Sequence, residues 1–255
     1  MAPPQGTVDA AARGLPPDLA TPAPAAFIVH VHAIELDPHD LHWKTLSEVL
    51  SLAEQQRAAR FAFEVHRRRF VQSHAALRRV IGGHLGVAPA AIEWAEGCHG
   101  RPWLGGAEAG LDFNLSHADD RAVIAVSHCG WVGIDIERTD RPIDELVSSV
   151  LTKTERRRVD EAPSAQRAVR FFEFWTGKEA FMKLNGTGLH LAPEEIEIEG
   201  DAAPDGKPVH RHTARAPQRS DLAVAHACLT SLELFDGYTC TLATPVAPAG
   251  IRGAA

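Results

Sequence analysis

The stretch from Leu111 to Glu137 leaves the chain little choice of fold. It holds three apolar segments of strand length, Leu111 to His117, Ala122 to Ser127 and Trp131 to Glu137, joined by turns of a few residues. The first alternates in period two, and links this short suit antiparallel neighbours, so the reading is a three-stranded meander. Helical material flanks it. Upstream, Arg57 to Arg79 is helical in character. It is entered at Ser47 or Ser51, with Glu54 placed for a capping box, and stopped at Gly82-Gly83. Downstream, Ile143 to about Leu184 is helical, breaks near Pro163 and ends at Asn185-Gly186-Thr187-Gly188. Phe27 to Leu36 reads as one more strand; Glu195 to Glu199 and Leu222 to Leu234 supply short strands and loops. Separate groups of strands and helices give an α+β class.

Length and composition close off other classes. The chain has 255 residues, 45% of them hydrophobic and 23% charged, which suits one large domain or two ordinary ones and excludes wholesale disorder. A net charge of -7 argues against a general nucleic-acid or anionic-membrane binder. The charge is nevertheless segregated, for Arg57 to Arg79 carries seven arginines against the single Glu64. Cys98, Cys129, Cys228 and Cys240 form no C-x-x-C pair, so reduced thiols and a cytoplasmic location are expected. No apolar run is long enough to span a bilayer. Residues 1–26 read as a disordered leader and 244–255 as a flexible tail. Between them, Phe27 to Asp37 faintly echoes Trp131 to Asp140, which suggests two similar halves, 27–130 and 131–243.

Two features carry chemistry. Asp135 and Glu137 stand at i and i+2 in a strand, so their carboxylates share a face, with Gly133 on that face leaving room for a ligand. Alone, such a pair is more often a solvated sheet edge. On the helix around Trp175, the stripe of Phe171, Phe174, Trp175, Phe181 and Met182 has Lys178 near its middle. A lysine there either snorkels out or meets an anion. Glu179 and Lys183, at i and i+4, border the stripe and read otherwise as a helix-surface ion pair. Three carboxylates can hold a hard divalent cation, magnesium foremost, and the lysines and the arginine-rich segment can neutralise phosphates around it. That layout suits metal-assisted phosphoryl chemistry.

Gly100-Arg-Pro-Trp-Leu104, Phe113-Asn-Leu-Ser-His117, Val132-Gly-Ile-Asp-Ile-Glu137 and Phe174-Trp-Thr-Gly-Lys-Glu-Ala-Phe-Met-Lys183, followed by Gly186 and Gly188, resemble in order and spacing the motifs of Sfp-type 4′-phosphopantetheinyl transferases. The likeness extends over most of residues 27 to 240. It implies a pseudo-two-fold pair of α/β halves with the active site in the cleft between them. It also implies magnesium as cofactor and coenzyme A as co-substrate. Such enzymes move phosphopantetheine onto a serine of an apo acyl or peptidyl carrier protein, releasing adenosine 3′,5′-bisphosphate. Carried over by motif, Asp135, Glu137 and Glu179 are the metal ligands, and Lys178 and Lys183 face the pyrophosphate. Ser116 and His117 hold the 3′-phosphate; Arg101, Arg69 and Arg57 are further nucleotide contacts. Glu179 is the candidate base, directly or through a metal-bound water, with Lys183 as its catalytic partner. Asp119 and Asp120 depart from the family pattern, where a small residue and glycine are usual, and are expected to point outward to solvent. A monomer is expected, since the pseudo-dimer completes the cleft.

Three other readings have less support in the residues. A metal-dependent phosphodiesterase or nuclease would use the same carboxylates, but the phenylalanines of the basic segment are spaced for a core, not for stacking on bases. A non-catalytic coenzyme A-binding module leaves Glu179 and Lys183 unexplained. Zinc on His30 and His32, with His39 and His42 close by, lacks further ligands to complete it in the sequence.

Overall fold

The computed structural model describes residues 28–36, 39, 42–97, 99–104, 110–128, 130–200 and 211–246. The leader at 1–26 and most of the tail lie outside the described residues. In chain order the elements are β1 (Val29–Glu35), α1 (Leu52–Ala59), α2 (Glu64–Leu85), β2 (Ala95–Glu96), β3 (Pro102–Trp103), β4 (Asp112–Ala118) and β5 (Arg121–Ser127). They continue with β6 (Gly133–Arg138), α3 (Val147–Val150), α4 (Lys153–Asp160), α5 (Arg167–Asn185), β7 (Glu197–Glu199), β8 (Arg211–Arg215), β9 (His226–Leu232) and β10 (Tyr238–Pro245). The α+β class holds.

Two antiparallel sheets organise the fold, one in the order β1-β5-β4 and one in the order β6-β10-β9-β8-β7. The expected meander is therefore corrected. β4 and β5 form a hairpin, but β5 spends its other edge on β1, and β6 leaves to pair with β10. In each sheet the first strand in sequence pairs with the last, and each sheet carries one long helix. The alternation of the strands explains the layering. Ile124 and Val126 of β5 pack with Leu77 and Ile81 of α2. Val123 and Ala125 face the other way, against Ile134 and Ile136 of β6 and Leu242 of β10. Beyond the second sheet, Ala227, Leu229 and Ala243 pack with Phe171, Phe181 and Met182 of α5. The order of layers is thus α2, sheet, sheet, α5.

Local signals set some of the helix ends, but the helical stretch expected from Ser51 through Arg79 is divided, ending at Ala59 and restarting at Glu64. Ser51 caps α1 by accepting the Glu54 N–H at 3.3 Å, and its own N–H donates to Glu54 Oε2 at 2.8 Å, a closed capping box. Helix α2 does not stop at Gly82-Gly83 but runs through it to Gly86, whose φ of 71° only glycine adopts easily. A helical glycine costs only about 1 kcal/mol relative to alanine, and Gly82 admits the close return of the Val87 carbonyl. Gly186 closes α5 in the same left-handed conformation, φ 64°.

Glu54 also ties α1 to α2. It meets His74 Nδ1 at 2.9 Å and accepts from Arg78 Nε at 2.7 Å. Burial opposes its charge, but His74, the Ser51 N–H and Arg78 outweigh burial and hold its carboxyl at about 2 against an ordinary 4.5. A depressed folded value means stability present in full above pH 4.5 and lost as pH falls toward 2. We expect Glu54→Gln to remove that part of the acid dependence and to cost roughly 3 kcal/mol at neutral pH. Urea midpoints measured from pH 7 to 2.5 check this, and parallel curves for variant and wild type would contradict it.

Gly133 has a different use from the one its position on the carboxylate face suggests. A Cβ built there would collide with the Ala180 carbonyl and the Leu184 N–H of α5, so the space is filled by the helix backbone, not by a ligand. The glycine lets α5 lie directly on β6. Gly133→Ala is expected to destabilise by about 1–3 kcal/mol or more and to displace the Lys183 turn, lowering activity as well as the melting temperature. A variant with wild-type melting and turnover would refute that role.

Candidate active site

The seam between the sheets is built by β4. Its residues at 112, 114 and 116 are polar and buried on one face, at the period of a strand. Asp112 Oδ2 accepts the Val132 N–H at 2.7 Å, and Asn114 Oδ1 accepts the Ile134 N–H at 3.0 Å. Side chains of one sheet thereby satisfy the outer edge of β6, which β10 leaves open. One step further along, Ser116 Oγ donates to Asp135 Oδ1 at 2.7 Å. The ladder thus brings Ser116 and Asp135 together.

Lys183 reaches the same point from α5. Its Nζ lies 2.6 Å from Asp135 Oδ1 and 2.8 Å from Ser116 Oγ. The alternative reading, an i,i+4 ion pair with Glu179, is not the contact it makes. Glu137 sits two residues along β6 from Asp135, and its Oε1 accepts from Trp175 Nε1 at 3.2 Å. Burial, then the charge of Asp135, raises the Glu137 carboxyl despite Trp175, Arg141 and Lys183. Glu179 is raised further, to about 7, by burial and by Asp135 and Glu137, with Lys183 opposing. Three carboxylates thus share one electrostatic environment with less positive charge than they need.

His117, next to Ser116, projects from the α2 side of β4. Burial of its surroundings and then Lys183, His74 and Arg69 hold its ring toward the neutral form. Those three basic groups, together with the imidazole, gather at one place suited to an anion. Arg69 itself contacts Asp119 Oδ1 at 3.5 Å. Arg57 is exposed at the end of α1, its guanidinium over the Phe70 ring at 5.5 Å. A small pocket of about 150 Å³ opens beside Lys183, lined also by Gly100, Pro102, Asn114, Gly186 and Gly188.

Comparison with known proteins identifies the family. Residues 131–243 match the family described as the 4′-phosphopantetheinyl transferase superfamily, and residues 35–129 match 4′-phosphopantetheinyl transferase, N-terminal. The 4′-phosphopantetheinyl transferase HetI of Nostoc sp. is 36% identical over 208 residues, spanning 80% of this chain and 86% of that protein. The chain belongs to the 4′-phosphopantetheinyl transferase superfamily. Two further relatives are 30% identical. One is a phosphopantetheinyl transferase of Thraustochytrium sp., matched over 60% of this chain and 58% of its own length. The other is the 4′-phosphopantetheinyl transferase psf-1 of Bacillus pumilus, at 62% and 70%. The protein is a transferase enzyme of this type.

Two residues expected to contact the nucleotide are engaged within the protein. Lys178 is fully buried; its Nζ donates to the carbonyls of Val150, Pro193 and Ile196, each at 2.9 Å, and pairs with Glu155 Oε2 at 2.7 Å. The anion it meets at the end of the apolar stripe is a carboxylate of the protein. Arg101 is likewise consumed, donating to Asp112 Oδ2 at 2.6 Å and to the carbonyls of Lys183, Leu184 and Val132. It pins the last turn of α5 to the seam and so positions Lys183, while also lining the small pocket beside that lysine. The basic segment is also less open than its composition suggests. Arg78 is buried against Glu54, Pro89 and Ile92, and Arg67 donates to the carbonyls of Ala59 and Phe61.

Asp119 and Asp120 do not point idly to solvent. Asp119 Oδ2 takes Arg141 at 2.9 Å and Arg138 at 3.7 Å, and Asp120 Oδ1 accepts the Tyr238 hydroxyl at 2.7 Å. The β4–β5 turn is thereby fastened to the second sheet. Sequence reasoning passed over Asp112, Asn114 and Glu155. The first two were signalled by polar residues in period two on an apolar strand, and Glu155 by the Thr152 capping box it completes.

Proposed function

We propose that this transferase moves the 4′-phosphopantetheine group of coenzyme A onto a serine of an apo carrier protein, with magnesium, releasing adenosine 3′,5′-bisphosphate. The observation that carries the reading is the gathering of Asp135, Glu137 and Glu179 beside Lys183 and Ser116 at the seam of the two sheets. The half at 27–130 supplies nucleotide contacts and the half at 131–243 the metal and catalytic groups. A cytoplasmic monomer is the working form. Among the described residues no helix is long and apolar enough to cross a membrane.

The donor set fits magnesium. Asp135 Oδ2 is buried without a hydrogen-bond partner among the described residues, and Asp135 raises the carboxyls of both Glu137 and Glu179. A hard cation preferring oxygen ligands answers that excess of negative charge. As they stand, no three acidic, histidine or cysteine side chains among the described residues enclose one point. Lys183, now on Asp135 Oδ1, is the group that would shift toward the pyrophosphate. Asp135, Glu137 and Glu179 would hold the ion, which supplies charge neutralisation at the pyrophosphate when bound.

The chain's own groups perform the rest. Ser116, His117 and Arg69 bind the adenosine 3′-phosphate, with Arg57 at the margin. Lys183 donates to the pyrophosphate and offsets the charge that grows on the leaving phosphate. The carrier serine oxygen attacks the phosphorus bearing pantetheine, the bond to the leaving phosphate breaks, and Glu179 accepts the serine proton. A nuclease reading loses its support because Arg78 and Arg67 are engaged within the protein.

Intact-protein mass spectrometry of an apo carrier incubated with the enzyme, coenzyme A and magnesium tests the proposal. A gain of one phosphopantetheine, abolished by chelator, is expected. Coenzyme A binding without transfer to any fatty-acid, polyketide or peptide carrier would leave a binding module instead.

A further inference from the structure

The histidines of β1 acquire two neighbours that the sequence keeps far apart. His30 and His32 project from the face of β1 that carries Ile34 against the α2 core. His84 lies in the last turn of α2, and His128 follows directly on β5, whose end pairs with the start of β1. His84 Nδ1 and His128 Nε2 are 3.0 Å apart. Ring centroids are separated by 5.1 Å for His30–His84, 5.1 Å for His84–His128, 5.8 Å for His32–His84 and 6.3 Å for His30–His128. Three imidazoles, two from β1 and one from the end of β5, thus surround His84.

We propose that His30, His32, His84 and His128 form a binding site for a divalent transition metal of zinc's class, which staples the end of α2 to the β1–β5 edge. Two imidazoles on one tetrahedral zinc, at metal–nitrogen distances of about 2.0–2.1 Å, have ring centroids roughly 5 Å apart. The observed separations match or slightly exceed that. His32 Nε2 is buried with no hydrogen-bond partner among the described residues, a ligating atom awaiting a partner. An all-imidazole donor set suits zinc, nickel or copper and does not suit magnesium.

The nitrogens do not yet converge, since no three donors among the described residues enclose one point. His30 and His128 are exposed, and turning their rings is the rearrangement the metal requires. The site is separate from the carboxylates. His84 is fifteen residues from Arg69 on the same helix, about 22 Å along its axis.

The test uses the full chain, freed of metal with chelator and held in excess magnesium so that the carboxylates are occupied. Zinc is titrated against a chromophoric chelator, and cobalt is added as a visible probe of coordination. One equivalent at micromolar affinity or tighter is expected, with a four-coordinate cobalt spectrum and a melting temperature raised by zinc. His84→Ala, and separately the His30→Ala/His32→Ala pair, should each weaken zinc at least about tenfold and abolish the thermal shift. The β1 pair serves as the second route should His84→Ala fold poorly. No tight equivalent, or unchanged affinity in the folded variants, overturns the proposal.

Discussion

Replacing Glu179 by glutamine is expected to lower the transfer rate by about 10²–10⁴-fold while leaving the unfolding transition in place. The carboxylate is nearly isosteric with the amide, and it makes no hydrogen bond among the described residues, so the loss reads out chemistry and metal affinity. Burial and the charges of Asp135 and Glu137 raise its carboxyl to about 7. In the metal-free protein it is therefore largely protonated below pH 7 and ionised above. A cation bound among the three carboxylates must displace that proton. Magnesium affinity should accordingly weaken as pH falls below about 7 and level off above it, and the glutamine variant should lose much of that dependence. Turnover by carrier mass shift and magnesium titration at several pH values give the two readouts. A variant that turns over near the wild-type rate would sink the role.

Removal of Lys178 should act on the fold and not on the ligand. Its ammonium is fully buried and serves Glu155 and three backbone carbonyls that join α3 to the loop before β7. Breaking a buried pair by deleting one partner costs about 3–5 kcal/mol, because the remaining charge and the carbonyls lose their partner. For a chain of this size that corresponds to a fall in melting temperature of roughly 10 °C. Lys178→Ala and Glu155→Gln should therefore both be strongly destabilised, while the folded fraction keeps the KM for coenzyme A. A lysine that contacted the pyrophosphate would give the opposite pattern, a raised KM at unchanged stability.

Lys178 also shows where sequence stops. Its place in the apolar stripe follows from helical period, and so does the conclusion that its ammonium emerges beside an anion. Which anion is a question of where Glu155 and the 193–196 turn lie, and those positions depend on packing across the chain. Arg101 is the same case. A Gly-Arg-Pro motif marks it out, but Asp112 and the end of α5 absorb all of its charge and most of its donors.

Local sequence alone established that Asp135 and Glu137 share a face, that Glu179 and Lys183 share another, that Ser47 or Ser51 opens a helix and that Gly186 lies in the stop signal of one. Each of these rests on residues a few positions apart, where backbone geometry fixes the outcome. Tertiary structure decided the rest. It sent β6 to β10 instead of β5 because β1 had already taken that edge, and it filled the space above Gly133 with α5. It turned Lys183 to Asp135 and gathered His84 and His128 around the histidines of β1. Those partners lie tens to more than a hundred residues apart, and only the joint burial of two sheets and two long helices selects them.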